Sequence, residues 1–169
     1  MRHFIALVVV AAVALVSGGC STLPVAPNVT AGDAQAETTA LTDHVLAGID
    51  ESLIARLDDL DSESHVCYPP HADSDQSILA WESRRFVVLT DDAVPLDVLN
   101  EILAGFDETK WHIGKVEEYL GEVGSGQVSL SGPGPAGVLR YGIQISASTK
   151  GTAPAAINVI ATSPCFETK

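Results

Sequence analysis

The densest gathering of ligand-type side chains lies in one short polar stretch, where His65, Cys67, His71, Asp73 and Asp75 fall within residues 61–76. Imidazole, thiolate and carboxylate are all metal-donor groups. Their spacing matches no zinc signature, and Pro69-Pro70 bars regular structure there. The stretch therefore reads first as an exposed polar loop and second as a cation or transition-metal site. Elsewhere the chemistry is sparse. Asp91-Asp92 and Glu117-Glu118 are paired carboxylates, but adjacent side chains point apart in helix and strand alike, which disfavours a shared acid–base role. An enzymatic reading would need the fold to bring His44, Asp91, His112 and Glu117 into one cleft. No Gly-rich phosphate cradle opens a helix, and neither a His-Glu-x-x-His pair nor a Gly-x-Ser-x-Gly elbow occurs. The sequence calls for no cofactor and names no catalytic residue.

The elements that must position these residues follow from periodicity. Leu41, Val45, Ile49, Leu53, Leu57 and Leu60 recur at three- and four-residue steps, which predicts an amphipathic helix over residues 38–60. Residues 78–90, with Trp81 and the apolar end Phe86-Val87-Val88-Leu89, read as strand. Arg84-Arg85 within it is a basic doublet suited to pairing with nearby carboxylates. Asp91-Asp92 as cap and Pro95 in the first turn open a second helix, whose apolar face is Val98, Leu99, Ile102, Leu103 and Phe106. Beyond it the period falls to two. Residues 111–119, 127–131, 139–148 and 155–162 read as strands separated by Gly/Pro turns, an antiparallel meander. The expected fold class is α+β, with two amphipathic helices packed on one face of a mainly antiparallel sheet of about four to five strands.

The N-terminus carries a different message. Arg2 precedes a wholly apolar run over residues 4–16, followed by Ser17-Gly18-Gly19 and then Cys20. This is the layout of an export signal, and the run is shorter than the ~20 residues a spanning helix needs. Val16-Ser17-Gly18-Gly19-Cys20 resembles the lipobox of bacterial lipoproteins, with Ser17 where that family usually has Leu. The resemblance implies cleavage before Cys20, acylation of its thiol and new amino group, and residence on the outer face of the cell membrane. Each buried CH₂ of an acyl chain contributes ~0.8 kcal/mol, so two or three chains make a lasting tether. The expected organisation is a signal peptide over residues 1–19, a lipidated Cys20 with a flexible linker over 20–37, and one domain over 38–169.

With Cys20 given to lipid, Cys67 and Cys165 remain in an oxidising compartment, where pairing is the default. Cys67 is then spent on a disulfide and not on a metal. The chain holds 22 Asp and Glu against nine Lys and Arg, a net charge of −13. That balance excludes nucleic acid as a partner, because phosphate contacts need Lys or Arg, and it gives no polybasic attraction to lipid heads.

The order of helix, Cys-bearing loop, Trp81 strand, second helix and strands closing on Ser163-Pro164-Cys165-Phe166 is similar to small actinobacterial and mycobacterial lipoproteins of the LppA-like group. That group implies an envelope location and no established reaction. The expectation is a non-enzymatic envelope module binding a partner protein, a wall polymer or a small apolar ligand. The alternatives are a cation-handling lipoprotein using residues 65–75 and an envelope enzyme whose site forms only in the fold.

Overall fold

A computed structural model describes residues 25–26, 28–68, 78–119, 124–133, 140–149 and 154–167. The first helix, α1 (Ala31–Leu46), starts earlier than the apolar stripe suggests. Its cap is Thr30, whose side chain accepts from the Asp33 amide while the Asp33 carboxylate accepts from the Thr30 amide, a reciprocal pair that satisfies two helix-end donors. Residues 31–37, read from composition as spacer, are thus helical. The helix also ends earlier, at Ala47. Asp50 caps a single 3-10 turn (Glu51–Leu53), and the chain then extends into β1 (Ile54–Tyr68). The predicted helix over residues 47–60 and loop over 61–68 are both corrected. Their residues pair along β2 (Ile78–Leu89), from Ile54 opposite Leu89 to Tyr68 opposite Ile78, and that ladder overrides the helical spacing of Leu53, Leu57 and Leu60.

The second helix, α2 (Pro95–Ala104), matches its predicted position, with Pro95 in the first turn. Val94 holds the cap position without a side-chain bond, so Asp91 and Asp92 do not cap it. The expected strand over 111–119 divides into β3 (His112–Ile113) and β4 (Glu117–Glu118). The remaining strands are β5 (Gly126–Pro133), β6 (Arg140–Ser148), β7 (Ala156–Thr162) and β8 (Phe166–Glu167).

Among the described residues one sheet of eight strands results, ordered β1-β2-β7-β6-β5-β3, with β4 also on β5 and β8 on β2. Every pairing between these strands is antiparallel. The expected sheet of about four to five strands is therefore overturned. The additional strands come from residues read as helix and loop, which form β1, from the division of 111–119, and from β8 after Cys165.

Both helices lie on one face. On that face β6 presents Tyr141, Ile143, Ile145 and Ala147, and β7 presents Ile157, Val159 and Ala161, all buried. These meet Leu41 and Val45 of α1 and Val98, Leu99 and Ile102 of α2 in one core. Each such aliphatic side chain contributes about 1.5–3 kcal/mol when fully buried, so the period-two alternation of β6 and β7 decides which face takes the helices. Where α1 crosses β2 the contact is polar. Thr38 Oγ1 bonds the Ala34 carbonyl at 2.8 Å and lies 2.9 Å from Ser83 Oγ, both residues being buried. Near the far end of α2, Phe106 stacks edge-on with Trp111 at 5.3 Å. A Cβ on Gly132 would lie 2.5 Å from the Trp111 ring, so the indole can seat there only over glycine.

Cys67 and Cys165 form a disulfide across a sequence separation of 98, with Cα atoms 6.1 Å apart. It closes the end of the sheet formed by the last residues of β1 and β7, the start of β2 and the strand β8. Ala26 is drawn into the same end: its amide donates to the Cys165 carbonyl at 2.7 Å, it bridges Phe166 in parallel, and it is 1% exposed. One lateral edge of the sheet is β1, which pairs only with β2 among the described residues. Its ladder has three register shifts, and Leu57, Leu60 and Val66 stand exposed along it.

Candidate functional site

The cleft formed by described residues lies at the β5 edge, where the chain arches away between β3 and β4. Gly114 holds the arch in place. Its amide donates to the Ser129 carbonyl at 2.9 Å, and a Cβ there would sit 2.8 Å from that same oxygen. Only glycine permits so close an approach. Lys115 and Val116 then leave the ladder before Glu117 rejoins it opposite Gln127. The gap is a cleft of about 200 Å³ lined by Gly114, Lys115, Glu117, Gln127, Val128 and Ser129.

Its polar groups hold one another in place. Gln127 Nε2 donates to Glu117 Oε2 at 3.4 Å, and Gln127 Oε1 accepts from the Tyr119 hydroxyl at 3.2 Å and from Gln144 Nε2 at 3.5 Å. Gln127 and Ser129 alternate with the buried Val128 and Leu130, so they occupy the sheet face opposite the helices. Gln144 is opposite Ser129 and joins them on that face. The Gln127 amide and the Glu117 carboxylate thus meet at one small concavity, with Lys115 also on its lining. Such a set orients a polar ligand by hydrogen bonds and has no nucleophile–base pair.

The residues singled out from the sequence have other fates. Cys67 is oxidised, so it offers no thiolate. His65 lies on β1 with Nδ1 3.9 Å from Glu82 Oε2, and Glu82 also pairs with Arg84. That hydrogen bond and the Glu82 charge hold the Arg84 guanidinium above its ordinary pKa. His71, Asp73 and Asp75 lie outside the described residues, as does Cys20. Among the described residues no group of three His, Cys, Asp or Glu is arranged to hold a metal ion. His44 packs edge-on against Phe106 at 5.0 Å, and His112 is exposed on β3 opposite Ser131. Asp91 is exposed in the turn before α2. Of these four, Glu117 alone lines the cleft, so the convergence required for an enzymatic site does not form among them. The basic doublet is spent on carboxylates, Arg85 reaching Asp59 at 3.0 Å and Asp43 at 3.8 Å.

Sequence reasoning missed Lys115, Gln127, Ser129 and Gln144. The signal available for them was Gly114, an isolated glycine inside a strand pattern, which marks a bulge or a close backbone approach. No protein-family model, curated protein or solved structure matches this chain.

Proposed function

We propose that this protein is a non-enzymatic binding module of the bacterial cell envelope, held on the outer face of the cell membrane by an acylated Cys20, and that its ligand is a polar segment of an envelope polymer or partner protein. The observation that carries the binding part is the cleft under the β3–β4 arch, in which Gln127 is fixed by Glu117, Tyr119 and Gln144. A prearranged amide loses little rotamer freedom on binding, which favours recognition. The Gln127 amide and the Glu117 carboxylate at the cleft suit hydroxyl- and amide-bearing chains. The anchor part is supported by the lipobox resemblance at Cys20 and by the disulfide, which suits an oxidising compartment.

The test joins two measurements. Intact mass of the membrane-extracted chain should equal residues 20–169 plus acyl chains, with no free thiol before reduction. The same material should sediment with purified cell-wall polymer, and Gln127→Ala should weaken that binding by roughly tenfold, as loss of one well-placed hydrogen-bonding group does. Undiminished binding by Gln127→Ala and Lys115→Ala would remove the cleft from the proposal.

A further inference from the structure

The order in which the chain leaves its anchor and joins the sheet sets how the domain stands on the membrane. Ala26 is fixed in the disulfide-closed end of the sheet by its bond to Cys165 and its bridge to Phe166. It lies six residues after Cys20. Six residues span at most ~20 Å when fully extended. The strands are longer than that leash. Phe166 pairs with Leu79, and from Leu79 to the end of β2 at Leu89 the chain runs ten residues, ~33 Å at strand rise.

We infer that the disulfide-closed end is the membrane-facing surface of this domain, and that the opposite end faces outward into the envelope. This rests on the acylation of Cys20. An inverted domain, with the Leu89 end against the lipid heads, would place Ala26 ~33 Å above them, beyond the ~20 Å that the leash allows. An upright or tilted domain satisfies the leash without strain. The near end presents Val66, which is 54% exposed beside Cys67. The far end presents the turn at Asp91-Asp92, the exposed Val94, and the start of α2 against Gly124. The cleft opens on the flank nearer that far end, since Gln127 is the second residue of β5 and faces Ser146 near the end of β6. A polymer lying above the membrane therefore reaches it without passing beneath the domain.

The experiment uses the full acylated chain in phosphatidylglycerol–phosphatidylethanolamine vesicles containing a headgroup-labelled quencher lipid. One fluorophore is carried at Ser64→Cys, near the disulfide end, or at Val94→Cys, at the far end. Intact mass of each sample confirms the acyl chains and the closed Cys67–Cys165 bond. Severalfold stronger quenching at position 64 than at 94 is the expected result. A linker of about 20 Gly and Ser residues inserted after Ser21 adds ~25 Å of reach and should abolish most of the difference. Equal quenching at both positions in an acylated chain overturns the orientation and leaves the anchor standing. A difference that survives the linker shows that surface affinity sets the orientation, and overturns the leash. A mass without acyl chains removes the anchor and the orientation together.

Discussion

Opening the Cys67–Cys165 bond tests both the energetics of the fold and the way the disulfide-closed end of the sheet is assembled. Closing a loop of this length removes denatured-state entropy worth ~4.7 kcal/mol on the chain-entropy account. Set against total domain stabilities of ~5–15 kcal/mol, that is a large fraction. At ~2–4 °C per kcal/mol for a domain of this size, the midpoint should fall by ~10–20 °C. The structure also says where the loss begins. Cys165 supplies the acceptor for Ala26, and its neighbour Phe166 pairs with Leu79, so β8 and residue 26 rest directly on the bridge. The β6–β7 ladder lies in the core and does not. Urea unfolding of the oxidised protein, the reduced protein and the Cys67→Ser/Cys165→Ser variant gives the magnitude. Amide exchange gives the location, with protection lost first at residues 26, 79 and 166 and last along β6 and β7. A stability difference below about 1 kcal/mol, or a loss of protection spread evenly over the sheet, would refute the reasoning.

Four further outcomes follow from local geometry. Gly114→Ala places a methyl 2.8 Å from the Ser129 carbonyl, so it should cost about 1–3 kcal/mol and open the arch, read by urea unfolding and by amide exchange at residue 114. Ser83→Ala strips Thr38 of its partner across the α1–β2 contact and should cost about 1–3 kcal/mol, whereas a neutral result would mean that the Ala34 carbonyl alone satisfies Thr38. Phe106→Ala should cost about 3–5 kcal/mol and shift Trp111 fluorescence, because it empties the aromatic corner between His44 and Trp111. Burial raises the Tyr141 hydroxyl above its ordinary pKa of 10.0, and the charges of Glu37 and Asp33 add to the effect. The folded state thus holds that proton more tightly than the unfolded one. Its contribution is complete below pH 10 and drains away as pH rises through the raised value, a slope that Tyr141→Phe should remove from an alkaline unfolding series.

The legible part of the fold was the part in which one period ran unbroken. Strands β6 and β7 alternate cleanly, and α2 carries both a proline start and an apolar face, so their places followed from sequence. Residues 47–68 misled because Leu53, Leu57 and Leu60 keep helical spacing while the partner that makes residues 54–68 a strand, β2, begins only at Ile78. Leu41, Val45 and Ile49 of the predicted stripe do lie in the core, whereas Leu57 and Leu60 end up exposed, so the continuation of the stripe was a coincidence of spacing. The start of α1 was hidden for the opposite reason. Its first turns are small residues that look like spacer, and the Thr30–Asp33 cap that announces them was overlooked. The disulfide was legible through the arithmetic of three cysteines. The cleft was not, because its donors come from β4, β5 and β6, and only the register of those strands brings them together.

The long edge strand β1 has a consequence for how copies of this protein meet one another. Among the described residues this strand of 15 residues pairs on one side alone, and an edge of that kind is a template for a second strand. Two copies meeting edge to edge would bring their β1 strands side by side. Asp58 and Asp59 on this strand are paired with Arg56 and Arg85 and Glu63 is exposed, so a second strand docking here would disturb those ion pairs and lie against an uncovered carboxylate. The register shifts at Leu60/Glu63 and Val66/Tyr68 further prevent a long straight ladder. Charge and register shifts thus blunt the long edge of the sheet against stacking.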